Sequence, residues 1–238
     1  MPDIRKHRGP HPEDRSLFSA KHLPSLRQAV SELSWLLTRE YSSKAALKLV
    51  GDRHRLTERQ RLAVSRAACS DQSKASRRAS AVNHEVVRGG DLIVDGFNLL
   101  ITIEAALSGG VLILCRDGCI RDLSSVHGSY RSVDETDWAL QLIGEALATT
   151  KPASVRWLLD QPISNSGRLA ARVRAAGERN AWPWRVETAF NPDREIASSA
   201  AVVISSDGPL LDQVDRWLNF ARQLIEKRLD TPWLIDLS

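Results

Sequence analysis

The amino-acid sequence predicts an α/β protein with a doubly wound, mostly parallel sheet, preceded by a small all-α module. Over residues 91–238, short apolar runs alternate with amphipathic stretches, which is typical of strand–helix–strand units. Over residues 1–90, apolar residues recur only at helical spacing. We therefore predict two units: a basic helical module at 1–90, and an α/β domain at 91–238.

The charge distribution supports this division. Residues 1–90 contain 18 Lys and Arg against 9 Asp and Glu, whereas residues 91–238 contain 15 against 20. A basic region favours a polyanionic partner, of which nucleic acid is the usual one, and a solvated basic surface is the alternative.

The composition also bears on location. The 238 residues contain no apolar run of membrane-spanning length, no apolar signal-peptide core and an odd number of cysteines, 3. We expect a cytoplasmic protein with RNA or another nucleic acid as its partner and no membrane partner, and a homo-oligomer stays open.

The basic module begins with an irregular polar arm at 1–16. Helices are predicted at 23–37 and at 43–50, the second ended by Gly51. Thr57 and Gln60 match a capping box that starts a third helix at 58–69. Residues 70–90 are interpreted as a basic connector, partly helical. The helices resemble a helix-turn-helix in outline, and their arginines are predicted to contact a nucleic-acid backbone: Arg53, Arg55, Arg59, Arg61 and Arg66.

The α/β region begins with an apolar run at 92–94 that stops at Asp95. Gly96 is expected to let the backbone turn, and Asn98 to cap a helix at 99–107 and point its amide at a site. Asp117-Gly118 between apolar runs predicts a β-hairpin at 111–123. The two hairpin cysteines are a poor zinc signature.

The remaining elements repeat the strand-then-acid pattern. Predicted strands at 155–159, 185–190 and 200–204 are followed by Asp160, Asp193 and Asp207, respectively. Ser166 or Asn165 can cap a helix at 167–178, where Ser166 and Arg168 are predicted to contact phosphate. Further helices are predicted at 134–148 and 210–229, with a last strand at 232–236.

The acids are expected to form one cluster. Right-handed crossovers bring the carboxyl ends of parallel strands to one edge of the sheet. Crowded carboxylates repel one another and need a cation, and oxygen-only ligands favour Mg²⁺ or Mn²⁺. Such an ion can promote displacement at phosphorus. The alternative is that these acids only form turns and caps.

This pattern resembles a known group of enzymes. Val94-Asp95-Gly96-Phe97-Asn98, Asp160, Asp193 and Val202-Val-Ile-Ser-Ser-Asp207 look like the acidic motifs of PIN-like and NYN nucleases. The resemblance implies a PIN-like domain and a metal-dependent ribonuclease. It implies metal ligands at Asp95, Asp160, Asp193 and Asp207, with catalysis by Asp95, Asn98, Asp160 and Asp207.

A second resemblance extends along the chain. Arg15-Ser-Leu-Phe-Ser-Ala-Lys-His-Leu, Leu49-Val-Gly-Asp-Arg and Asp95-Gly-Phe-Asn-Leu-Leu look like the prokaryotic family "domain of unknown function 434". That family implies a helical module before a PIN-like one, without an established activity. Asn191-Pro-Asp193-Arg departs from the usual nuclease pattern, so Glu195 can take the place of Asp193. Residues 191–199 are short for a crossover helix, and the hairpin is an insertion.

Two functions are therefore weighed. The first is a metal-dependent endoribonuclease, and the second is a non-catalytic nucleic-acid-binding protein with a degenerate nuclease fold. A haloacid-dehalogenase-type phosphatase is disfavoured because Phe97 occupies the position of its second acid. The arrangement of the acids discriminates the two functions: convergence favours a metal, and a salt-bridging Lys or Arg favours the binder.

Overall fold

The computed structural model describes residues 7–124 and 128–238, so residues 1–6 of the predicted arm lie outside it. The helices are α1 (Asp14–Leu17), α2 (Leu23–Thr38), α3 (Ser43–Arg53), α4 (Glu58–Ala67), α5 (Asp71–Ser80), α6 (His84–Val87), α7 (Gly96–Leu107), α8 (Thr136–Thr150), α9 (Ser166–Arg179), α10 (Pro192–Ala197), α11 (Gly208–Leu211) and α12 (Phe220–Arg228). The strands are β1 (Asp91–Asp95), β2 (Leu112–Leu114), β3 (Ile120–Asp122), β4 (Ser154–Asp160), β5 (Trp184–Ala189), β6 (Val202–Ile204) and β7 (Leu234–Asp236).

Four strands form the predicted parallel sheet, in the order β5-β4-β1-β6. The chain moves outward from β1 to β4 and β5 and then returns to place β6 on the other side of β1. Such a reversal opens a crevice at the carboxyl edge, where ligands bind in open α/β sheets. The mixed α/β class and the parallel sheet are confirmed.

Both faces of this sheet are covered. Leu92 and Val94 of β1 enter the core cluster that contains residues of α7, α8 and α9, whereas Ile93 enters a second cluster with Ile196 of α10. This follows from the alternation of side chains along a strand. The crossover helix α10 has 6 residues, which confirms that this connection is short.

A second, three-stranded sheet has the order β3-β2-β7. Its antiparallel β2–β3 pair is the predicted hairpin. The predicted last strand is β7, which pairs parallel to β2. Ile113 and Ile235 share one apolar cluster with Leu26 and Val64 of the helical region, so the small sheet and α2–α4 bury each other.

The helical region follows the sequence closely. Thr57 and Gln60 form the predicted capping box at the start of α4. Helix α3 continues past Gly51 to Arg53, so Gly51 does not end it. The guanidinium group of Arg61 lies against Gly51, so a Cβ there would displace this flexible side chain. The predicted connector contains helices α5 and α6.

The predicted helix at 210–229 is wrong. Helix α11 ends at Leu211 and α12 begins at Phe220. Between them, the Trp217 carbonyl accepts from the Val82 amide (2.8 Å), and the Trp217 amide donates to the Ser80 carbonyl (3.1 Å). Tertiary backbone hydrogen bonds thus replace the helical ones that local spacing predicted.

The arm is anchored rather than irregular throughout. Arg8 forms an ion pair with Glu104 of α7, whose side chain is fully buried. Tyr130 and Thr136 each donate a hydroxyl hydrogen bond of 2.6 Å to the same carboxylate. A buried carboxylate is costly unless it is paired and hydrogen-bonded. Arg8 of the arm supplies the positive charge that Glu104 needs.

A buried ion network joins the two regions of the chain. Asp117, in the hairpin turn, accepts from Arg77 of α5 and from Arg121 of β3, each at 2.6 Å. Burial opposes its ionisation, but Arg121 and Arg77 prevail and lower the pKa of Asp117 to about 2. Arg77 also pairs with Asp212 at 2.8 Å, and Nε of Arg121 donates to the Ser206 carbonyl at 2.6 Å.

We expect Asp117→Asn to lower the free energy of unfolding at pH 7 by about 3–5 kcal/mol, because the buried Arg121 loses its counter-charge and Arg77 keeps only Asp212. The folded-state pKa lies below the ordinary value, so this stabilisation is present above pH 4 and is lost as the pH falls from about 4 to 2. Urea denaturation across this range measures it. Asp52→Asn, at an exposed ion pair, is the control, and an equal loss in both variants would contradict the prediction.

Candidate functional site

The four predicted acids lie along the carboxyl edge of the parallel sheet. Asp95 ends β1, Asp160 ends β4, Asp193 lies in the first turn of α10, and Asp207 is the N-cap of α11. Asp207 and Asp193 both repel Asp95 electrostatically, and Asp193 also repels Asp160. Asp95, Asp193 and Asp207 thus repel one another at this edge, and Asp160 is linked to them through Asp193.

Asp95 is the buried member of this cluster. Burial is the main cause that raises the pKa of Asp95 to about 7; repulsion by Asp207 and Asp193 adds to it. A hydrogen bond of 2.8 Å from the Ser205 hydroxyl opposes the shift. A carboxyl group that titrates near neutrality at a sheet edge is typical of a functional site.

The other two shifted acids are less buried. Burial, followed by repulsion from Asp193, raises the pKa of Asp160. Burial, followed by repulsion from Asp207, raises the pKa of Asp193. Both shifts have the direction expected of carboxylates that share one site.

The start of α7 holds the cluster in place, but not as predicted. The Asp95 carboxylate accepts a hydrogen bond of 3.4 Å from the backbone N–H of Asn98. Asp95 is therefore the N-cap of α7, and Asn98 lies within the helix. The Asn98 side-chain oxygen accepts from the backbone N–H and hydroxyl of Ser206, at 2.8 and 2.9 Å. Asn98 thereby ties the loop after β6 to α7.

Gly96 also acts differently from the prediction. A Cβ at Gly96 would lie 2.8 Å from the Leu158 carbonyl oxygen. Because Gly96 has no side chain, the first turn of α7 can lie against the backbone of β4 near the ends of β1 and β4.

The ion pairs that the described residues form leave out the four edge acids. Across residues 7–124 and 128–238, neither Lys, Arg nor His forms an ion pair with Asp95, Asp160, Asp193 or Asp207. Glu195, the predicted substitute for Asp193, pairs with Arg156 at 2.9 Å. The four acids therefore keep their charge available for an added cation.

The donor chemistry fits a hard divalent cation. The cluster offers carboxylate oxygens, with hydroxyl oxygens from Ser205 and Ser206 beside them. Among the described residues, no three His, Cys, Asp or Glu side chains are placed to hold one ion together. Mg²⁺ commonly uses one or two protein carboxylates and retains several waters.

A cleft of about 340 Å³ adjoins the cluster at Asp207 and Asn98. Arg66, Arg77 and Arg121 also line it. Their guanidinium groups are already engaged: Arg77 and Arg121 bind Asp117, and Arg66 donates to the Ser124 carbonyl at 2.8 Å. The cleft is therefore polar but largely charge-balanced.

Three of the arginines predicted to bind nucleic acid have partners within the fold. Arg59 makes two 2.8 Å hydrogen bonds to the fully buried Asp14, and Arg61 binds Asp52 at 2.8 Å. Arg66 pairs with Asp122 at 3.5 Å. Arg61 therefore joins two helices of the helical region, whereas Arg59 and Arg66 also tie α4 to the end of the hairpin.

The other predicted contacts are more accessible. Arg53 is exposed and lies 3.4 Å from Glu32, and Arg55 is exposed in a left-handed turn. Ser166 is buried and donates to the Gln161 carbonyl (3.2 Å), so the predicted side-chain cap of α9 is absent. Arg168 is exposed at the first turn of α9, close in sequence to Asp160.

Sequence reasoning missed Ser205, Ser206 and Phe190. The serines directly precede Asp207, and this adjacency was the available signal. Phe190 follows β5 with its side chain 80% exposed, next to Ala189, which pairs with Asp160. By contrast, Trp182 and Trp184 stack on each other at 4.7 Å between ring centroids. No local signal distinguishes the exposed aromatic from the packed ones.

The geometry defines a mixed α/β protein with an uncompensated acidic edge, and the comparisons give its family. A family model described as a domain of unknown function (DUF5616) matches residues 84–223, and the chain belongs to that family. A second model, described as a protein of unknown function (DUF434), matches residues 25–79. The predicted resemblance to family 434 is thus confirmed for the helical region, whereas the Asp95 motif falls in the other match.

One curated relative is an uncharacterized archaeal protein, MJ0935 of Methanocaldococcus jannaschii. The two sequences are 29% identical over 189 residues, which cover 77% of this chain and 90% of the relative. No solved structure matches the chain. Of the helices in the described ranges, none combines the length and apolar character needed to cross a membrane.

Asp95→Asn tests the uncompensated carboxyl. The folded-state pKa lies above the ordinary value, so proton binding favours the folded protein and wild type loses stability as the pH rises from about 4 to 7. Without divalent cations, the variant should equal wild type near pH 4 and exceed it at pH 8 by up to about 4 kcal/mol. Urea denaturation at both pH values measures this difference. Asp91→Asn, at the exposed start of β1, is the control, and a pH-independent difference for Asp95→Asn would contradict the prediction.

Proposed function

We propose that the protein is a metal-dependent ribonuclease that hydrolyses phosphodiester bonds at the acidic edge. One observation carries the proposal: the buried Asp95 is repelled by two acids, Asp207 and Asp193, and forms no ion pair with a cation of the described residues. Elsewhere in the described structure, the buried acids Asp14, Glu104 and Asp117 each pair with an arginine. The lack of a counter-charge at Asp95 is therefore a local property of this edge.

The proposed ligands are the predicted acids. Asp95 and Asp207 flank the switch between β1 and β6, and Asp193 and Asp160 extend the set toward β5. When bound, Mg²⁺ or Mn²⁺ would supply a more acidic water and charge stabilisation at the phosphate. The chain positions the ligands: Ser205 orients Asp95, and Asn98 holds the loop that carries Asp207.

The resemblance to PIN-like and NYN nucleases supports this assignment. Those enzymes carry acids at the ends of parallel strands, as this chain does at Asp95, Asp160 and Asp207. Asp193 lies in the first turn of the short α10, close enough to Asp207 for the two carboxylates to repel each other. Although the Asn191-Pro-Asp193 motif differs from the usual nuclease pattern, it still supplies an acid at this edge.

The substrate contacts proposed for this edge are Phe190 and Arg168. An exposed aromatic ring can stack on an unpaired base, and a surface guanidinium can bind the backbone phosphate. Across the sheet, Phe190 follows β5, Asp160 ends β4 and Asp95 ends β1, at about 5 Å per strand. A single-stranded segment laid along this row would place a phosphate over the acids.

One observation favours the non-catalytic alternative. In the part of the chain that the structure describes, no three acids are placed to hold one ion. A binding protein with a degenerate nuclease fold would need no such arrangement. The cleavage assay below separates the two functions.

Asp95→Asn should reduce Mn²⁺- or Mg²⁺-dependent cleavage of single-stranded RNA by at least about 100-fold, because it removes the central carboxylate. The matched control is Asp91→Asn, the same substitution at the exposed opposite end of β1. It should retain wild-type rates. Equal activity in all three proteins would indicate a contaminant, and no cleavage by wild type would favour the binder.

Phe190→Leu should weaken binding of single-stranded RNA to Asp95→Asn protein by about 5- to 100-fold, the range expected for one stacked base. Phe190→Trp keeps an aromatic face and should bind as tightly as phenylalanine. Fluorescence anisotropy with a labelled oligonucleotide measures both. If leucine and tryptophan bind equally well, Phe190 does not stack a base.

A further inference from the structure

A second cleft, of about 620 Å³, lies at the opposite edge of the parallel sheet. Helix α6, which precedes β1, the end of α8, which precedes β4, and helix α12 enclose it. The strands between the two edges place it roughly 20 Å from the acids. It is larger than the cleft beside Asp207, and its volume is within the range of small-molecule sites.

Its wall carries uncompensated positive charge. Arg88, Lys227 and Arg228 line the cleft, and none of them forms an ion pair with any acid in the described ranges. Glu85 is the one acid among the lining residues. This contrasts with the arginines of the other cleft, which are bound to Asp117, Asp122 and Asp212. Free cations around a cavity favour an anionic ligand.

The same wall has an apolar part. Beside the cations, Ala146 of α8 is half-buried in the wall, and Phe220 and Leu224 of α12, which are 2% and 4% exposed, form the floor beneath it. A phosphate or sulfate ion alone would leave this surface unused. The combination suits a ligand with an anionic group joined to a flat apolar body.

Two polar side chains of the wall have unsatisfied atoms. Nδ1 of His84 and Oε1 of Gln223 are buried and have no hydrogen-bond partner. Leaving a buried polar atom unpaired costs about 1–3 kcal/mol, so such atoms call for an explanation. Both residues line this cleft, where rotation of either side chain would offer the atom to a ligand.

We propose that this cleft is a nucleotide-binding site, separate from the acidic edge. The phosphates would bind Arg88, Lys227 and Arg228, and the base would lie over the half-buried Ala146, above the buried Phe220 and Leu224. The edge of the base would take the hydrogen bonds that His84 and Gln223 lack. A free nucleotide and a phosphorylated RNA end share this chemistry.

Calorimetry on the full chain, in EDTA, tests the proposal with ADP as the probe. ADP should bind wild type and the Asp95→Asn variant equally, which keeps this test separate from the nuclease proposal. A 5′-phosphorylated dinucleotide and its unphosphorylated form distinguish an RNA end from a free nucleotide. Tight binding of the phosphorylated dinucleotide alone would identify an RNA end as the ligand.

The double variant Lys227→Ala/Arg228→Ala should bind ADP at least ten-fold more weakly. The control is Lys44→Ala/Arg78→Ala, which removes the same charge from exposed positions and should bind like wild type. An equal loss in both pairs would show non-specific attraction and would overturn the proposal. So would the absence of heat with every probe at millimolar concentration.

Gln223→Leu separates a binding role from a structural one. Because Oε1 of Gln223 has no partner, the substitution should leave the melting temperature unchanged or higher. It should nevertheless weaken ADP binding several-fold. Ala146→Leu, which narrows the cleft without changing charge, should weaken binding as well. Unchanged affinity in both variants would overturn the proposal.

Discussion

The buried pairing of Asp117 with Arg77 and Arg121 is the interaction on which the arrangement of this protein depends. Charges removed from water must be paired, so the three side chains can be buried only together. They come from the helical region, the hairpin turn and β3. Because Arg121 also binds the Ser206 carbonyl, the same network sets the position of the loop that carries Asp207.

A contrast in charge pairing organises the functional interpretation. The fold pairs buried acids with arginines at Asp14, Glu104 and Asp117, in some cases across long sequence separations. At the carboxyl edge it brings acids together without such a partner. The wall of the second cleft has the opposite imbalance, with unpaired cations around an apolar surface. Opposite charge imbalances at opposite edges suit ligands of opposite charge.

Much of the parallel sheet was predictable because β1, β4 and β6 contain short apolar runs that are followed by an acid. The acid cluster then followed from topology, since parallel strands share one carboxyl edge. The capping box at Thr57 was equally local. Prediction failed where long-range contacts replaced local preference: Trp217 bonds to Ser80 and Val82 inside the expected last helix.

The sequence by itself determined the mixed α/β class, the hairpin and the set of edge acids, because spacing and strand ends are local properties of a chain. Only the tertiary structure decided which charges are paired. The sequence predicts the same surface role for Arg59, Arg61 and Arg66. In the structure, each of them forms an ion pair with an acid of the fold. Arg88, Lys227 and Arg228 bind none in the described residues. Pairing depends on distances between residues far apart in the chain, and burial sets its free energy, so spacing along the sequence cannot specify it.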